Sequence, residues 1–144
     1  MNQQLILYPA LLMAMLTLSV GILLFRARIA AVTRGDLNPA YFAYNRGAKL
    51  PDYLIRVEQN YSNQFELPVL FYALVLLLYT TQSANHYQLW LLWGFVLSRI
   101  VHSLVHIWLN RLLWRRDSFI VGFILLLAGW VLLGIQLLQP SIHT

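Results

Sequence analysis

Four stretches of the chain are apolar almost without interruption, and the polar residues gather between them or along one side of two of them. The first runs from Leu5 to Phe25, the third from Leu89 to Leu109 and the fourth from Phe119 to Leu138. Each is long enough to cross about 30 Å of hydrocarbon as an α-helix rising about 1.5 Å per residue. The second, Leu67 to Tyr79, is too short alone, so its helix is expected to start upstream, in the polar sequence after Pro51. The pattern predicts an all-α, membrane-spanning four-helix bundle. It forms a single domain over residues 1–144, with spans near 5–25, 60–81, 89–109 and 118–138. Only one connection is long: from Arg26 to about Gln64 the breakers Gly35, Pro39, Gly47 and Pro51 predict loop or interfacial segments.

Composition agrees with that solvent. With 60% hydrophobic and 10% charged residues, the chain has too few polar groups to cover a soluble domain of this size. Membrane lipids are its expected surroundings. The net charge of +5 does not mark a nucleic-acid surface, and no nucleic-acid partner is expected, because the basic residues lie between apolar runs. Arg26, Arg28, Arg34, Arg46, Lys49 and Arg56 fall in the first connection, Arg111, Arg115 and Arg116 in the third, and none in the second. The positive-inside rule then puts the first and third connections in the cytoplasm and both termini outside. The first apolar run lacks a small-x-small cleavage site before Arg26, so it reads as a retained span rather than a signal peptide. Tyr8, Tyr79, Tyr87, Trp90, Trp108 and Trp114 fall near span ends, where amphipathic rings favour the interface. The absence of cysteine excludes disulfides and protein thiolate chemistry.

Candidate chemistry lies inside the spans. At 100° per residue, Arg99, His102, Ser103, His106 and Asn110 share an arc of about 100° on the third helix. Arg56, Gln59, Asn60, Asn63 and Glu66 share one of about 120° on the second. Counted from the short outer loop, Glu66 comes level with Arg99 and His102, Asn63 with His106, and Asn60 with Asn110, so the stripes are expected to face each other as a polar cleft. Pro68 cannot donate to the carbonyl of Gln64, which leaves that group free in the seam. Ionisable groups at this depth need a partner or a function. One reading is an ion pair between Glu66 and Arg99 that holds the bundle together; the other is a cleft for a ligand with anionic and amide groups. His102 and His106 have the i, i+4 spacing of a two-histidine metal site with Glu66 as a third ligand. The seam has no second acidic group and the histidine motif no glutamate, so no metal is expected. Gly122 and Gly129, a heptad apart, are expected to permit close helix packing.

The segment NQFELPVLFY from Asn63 to Tyr72, followed by RIVHSLVHIWLNR from Arg99 to Arg111, resembles the MAPEG family, the membrane-associated proteins in eicosanoid and glutathione metabolism. The resemblance extends over nearly the whole chain. It implies a homotrimer of four-helix protomers that binds glutathione between subunits near the cytoplasmic face. The implied activity is that of a glutathione-dependent transferase or peroxidase acting on small lipophilic electrophiles. A non-enzymatic lipid-binding or assembly protein is the alternative, since some members bind lipids without catalysis. By position, Arg56, Asn63 and Glu66 match the residues that hold glutathione on helix two, Arg99 and His102 the pair on helix three, and Arg26 or Arg28 the basic group ending helix one. Arg115 lies where catalytic members carry the thiolate-stabilising arginine, and either Arg115 or Arg99 is expected in that role. Where several catalytic members carry tyrosines, this chain has His106 and Phe119. The subgroup it resembles is bacterial, which implies an inner membrane.

Overall fold

The computed structural model describes residues 1–44 and 49–138; Arg46 and Gly47, named above, lie outside them. Among the described residues there are four helical spans, Gln3–Thr33, Asp52–Thr80, His86–Leu109 and Leu112–Leu138, each apolar and long enough to cross a membrane. Each begins ahead of its apolar run. The first span, a 3₁₀ turn (Gln3–Ile6) leading into α1 (Leu7–Thr33), has 31 residues, about 46 Å at helical rise, and so outruns the hydrocarbon layer. Its last turns carry Arg26 and Arg28 beside apolar Ile29, Ala31 and Val32, and end where Gly35 adopts φ 77.

The emerging ends of the first two spans are held by a small apolar cluster of Leu24, Ala31, Leu37, Leu54 and Val57. The first connection therefore packs: Leu37 is buried in this cluster, Phe42 of the one-turn helix α2 (Tyr41–Tyr44) lies against it, and the Tyr53 hydroxyl donates to Asp36 at 2.9 Å. The second span has three parts, α3 (Asp52–Ser62), a 3₁₀ turn (Asn63–Phe65) and α4 (Leu67–Thr80). The third is α5 (His86–Leu104) continued by a π-turn (Val105–Leu109), and the fourth is α6 (Leu112–Leu138). Asn85 caps α5 by accepting from the Gln88 N–H at 2.9 Å, which starts the helix at His86 rather than at Leu89.

At the end carrying the N-terminus and the second connection, Gln3 clamps the chain. Its side-chain amide donates to the Ala84 carbonyl and accepts from the Ala84 N–H, both at 3.1 Å. The main core lies beneath, around Met13, Phe71, Leu74, Phe95 and Leu126, with the Phe71 and Phe95 rings stacked at 4.8 Å. The fourth span approaches closely because it is bare at two positions. A Cβ on Gly122 would lie 2.6 Å from Ser98 Oγ, and one on Gly129 2.8 Å from Leu74 Cδ2. Close packing and interhelical polar contacts hold helices together where lipid removes the hydrophobic drive.

Candidate functional site

The second span loses helical regularity just before Pro68. The ring cannot donate an N–H to the carbonyl four residues back, and the chain answers with the 3₁₀ turn Asn63–Phe65 and with Glu66 at φ −96, ψ −103. At this break the Asn63 carbonyl accepts from Arg99 Nη2 at 2.9 Å. The carbonyl engaged is thus that of Asn63, one residue before the Gln64 expected from the proline. A guanidinium replaces a backbone donor, which meets the rule that irregular backbone at membrane depth must find a protein partner.

The third span is irregular about one turn further along, where it packs on α3. Its π-turn ends at Asn110, which takes the left-handed conformation (φ 47) and donates its N–H to the Val105 carbonyl at 2.7 Å. The wider turn breaks the 100° progression, so Asn110 leaves the stripe on which Arg99, His102 and His106 lie. Its side-chain oxygen instead accepts from Arg115 Nη1 at 3.3 Å.

His102 ties three spans together. Its Nε2 lies 3.4 Å from the Asn63 side-chain nitrogen, and its Nδ1 lies 3.0 Å from the Arg115 carbonyl and 3.3 Å from Ser118 Oγ. With the Asn63 amide donating to Nε2, the ring carries its proton on Nδ1 and donates it to the Arg115 carbonyl. Gln64 adds a second bond across the seam, donating to Ser103 Oγ at 3.1 Å. The pairing of Asn63 with His102, rather than with His106, is about one turn out of the expected register, because α5 begins ahead of Leu89.

Deeper in the seam, Asn60, Arg99 and His106 are fully buried and Gln64 nearly so. Each keeps polar atoms without a partner among the described residues: Asn60 Nδ2, Gln64 Oε1, Arg99 Nε and Nη1, and both ring nitrogens of His106. The guanidinium carbon of Arg99 sits 6.0 Å from the centroid of the Phe119 ring, whose π-face offers it partial compensation. Outside this packed layer the site opens. Asp52, Ile55, Arg56, Gln59, Asn110 and Arg115 line a recess of about 330 Å³. A second recess, of about 230 Å³, is lined by Asn63, His102, Leu112, Arg115, Arg116 and Phe119. Arg115 borders both, and its Nε is buried without a partner.

Other expected residues lie elsewhere. Glu66 is exposed on the outward side of the second span, and the ion pairs among the described residues are Arg28–Glu58 and Arg116–Asp117, so Glu66 and Arg99 do not form one. The helix break rotates Glu66 out of the stripe that carries Asn60 and Asn63. Arg28 is engaged by Glu58 at 2.9 Å and lies over the Phe42 ring, and Arg26 is exposed on α1. The Gln64 side chain, Ser118 and Asp52 join the site, although only the Gln64 carbonyl was expected there. Gln64, four residues after Asn60, was within reach of the periodicity argument; Ser118 and Asp52 carried no such signal. Among the described residues no His, Cys, Asp or Glu side chains group in threes as a metal ion would require.

A family model described as the MAPEG family matches residues 6–135. No curated protein and no solved structure matches the chain.

Proposed function

The chain belongs to the MAPEG family, and on that premise we propose that the two recesses joined at Arg115 bind glutathione, serving a transferase or peroxidase that acts on lipophilic electrophiles arriving from the membrane. The carrying observation is the donor set around Arg115. Glutathione presents two carboxylates, an ammonium, two amides and a thiol. The recess offers the guanidinium groups of Arg56 and Arg115, the carboxylate of Asp52 and the amides of Gln59 and Asn110. Arg56 complements a carboxylate, Asp52 the ammonium and Gln59 and Asn110 the amides, and Arg115 stands where this recess meets the second.

Within this reading Arg115, rather than Arg99, serves the sulfur. Arg99 is wholly buried and holds the Asn63 carbonyl, whereas Arg115 borders both openings. A guanidinium beside the sulfur favours the thiolate over the thiol and so raises the fraction of active nucleophile at neutral pH. The thiolate attacks the electrophilic carbon, a C–S bond forms, and the leaving group departs with its electron pair. His102 and Asn110 hold Arg115 through its carbonyl and its guanidinium, respectively.

The exposed Glu66 supports association with a further copy of the chain, as in the homotrimer that the resemblance implies. It sits midway along the 29-residue second span, on a face that the rest of the chain leaves uncovered, and an ionisable group at that depth calls for a polar partner. The basic first and third connections support a cytoplasmic position for the site, and the resemblance to the bacterial subgroup supports the inner membrane. Calorimetric titration of the detergent-purified protein with glutathione tests the reading. Saturable heat that Arg115→Leu removes is the expected result, and no heat at millimolar glutathione would end it. The second reading, a non-enzymatic lipid-binding or assembly protein, draws on His106 and Phe119 standing where catalytic relatives carry tyrosines. A lipid retained in the seam and competing with glutathione, seen by native mass spectrometry, would favour it.

A further inference from the structure

Beyond the glutathione reading, we propose that the outward face of the third span is a groove for one anionic phospholipid, with an acyl chain along Val101, Leu104, Val105, Trp108 and Leu109 and the phosphate at Arg111. These five apolar residues enclose about 400 Å³ on a single helix. Val105 is buried and forms the floor, while Leu104 and Trp108 are 54% and 78% exposed and form the walls. From Val101 to Leu109 the groove runs about 12 Å along the helix, the direction in which an acyl chain lies in a bilayer. The π-turn that carries Trp108 ends at Asn110, and Arg111 follows at once. Arg111 is thus the first cation in sequence beyond Leu109, where the groove's own lining ends.

That cation is free to take a ligand. Of the three arginines in this turn, Arg116 is paired with Asp117 at 2.8 Å and Arg115 donates to Asn110. Among the described residues the Arg111 side chain has no hydrogen-bond or ion-pair partner. Charge complementarity favours a lipid over a second copy of this chain as the occupant, since three of the chain's acidic groups are already engaged. The chain has five acidic residues. Glu58 and Asp117 are in ion pairs, Asp36 accepts from Tyr53, Asp52 lines the recess at Arg115, and Glu66 lies at mid-span, far from the depth of Arg111. A phospholipid with a net negative head group supplies both an apolar chain and an anion at the interface, and Trp108 and Trp114 flank that level with amphipathic rings.

The test is native mass spectrometry of the full chain, purified in detergent and incubated with equimolar phosphatidylglycerol and phosphatidylcholine. The expected result is retention of one phosphatidylglycerol per chain in preference to phosphatidylcholine. Arg111→Gln should cut that preference about fivefold, the effect of one basic residue at an anionic surface, and Arg111→Lys should restore most of it. Val101→Trp, which fills the groove, should lower retention of both lipids. Equal retention of the two lipids by the unaltered chain would overturn the proposal, as would a preference untouched by Arg111→Gln. If Val101→Trp changes the number of chains per assembly and leaves lipid retention intact, the groove belongs to a second copy. None of these readouts involves glutathione, and Arg111 lines neither recess, so this proposal and the glutathione reading fail separately.

Discussion

Around Phe71 the second and third spans meet as regular helices, ring stacked on ring, while two turns away, around Asn63, the same two spans meet through a 3₁₀ turn, a π-turn and buried polar side chains. The first contact resembles the core of any well-packed protein. In the second, Arg99 takes a backbone carbonyl and His102 bridges Asn63 to the Arg115 carbonyl. Regular helices satisfy their own backbone and ask only for shape, so the Phe71 region is suited to stability. Irregular backbone in a membrane requires partners from neighbouring spans, and this requirement fixes side chains in three dimensions at the Asn63 end. A site that must hold a ligand benefits from that fixity.

Several substitutions would break or sharpen this contrast. Phe71→Ala, which empties the stacked core, is expected to cost about 3–5 kcal/mol in reversible unfolding in detergent micelles. A cost under about 1 kcal/mol would mean that the core is not where stability resides. Arg115→Leu should do the reverse: glutathione-dependent turnover should fall about 100-fold or more, while the unfolding midpoint stays near that of the parent chain. If the midpoint falls as far as in Phe71→Ala, Arg115 belongs to the scaffold. Gly129→Ala forces a methyl group against Leu74 and is expected to cost about 1–3 kcal/mol; Leu74→Ala should then cost less in that background than in the parent chain, as coupled neighbours do. The smallest effect belongs to Arg28→Gln. Its ion pair with Glu58 is 41% and 25% exposed and should contribute about 0.2–1 kcal/mol. A larger loss in equilibrium unfolding would point to the Phe42 contact as the real anchor.

What the amino-acid order determined by itself was the solvent and the crossings. An apolar run of span length has few alternatives in lipid, and a proline or a polar stripe at a fixed spacing marks where a helix must find partners. The polar character of the second and third spans, the disturbance at Pro68, and the grouping of Arg99, His102 and His106 were all legible on that basis. The tertiary structure decided which groups meet. Register across the seam depended on Asn85 starting the third helix at His86, and the π-turn took Asn110 out of the stripe and set it against Arg115. The break before Pro68 turned Glu66 away and gave Arg99 the Asn63 carbonyl. Each outcome hinges on a local departure from 100° per residue. Periodicity assumes a uniform helix, so it registers such a departure as an anomaly without giving its direction, whereas the direction decides whether a side chain faces a partner span, the open recess or the lipid.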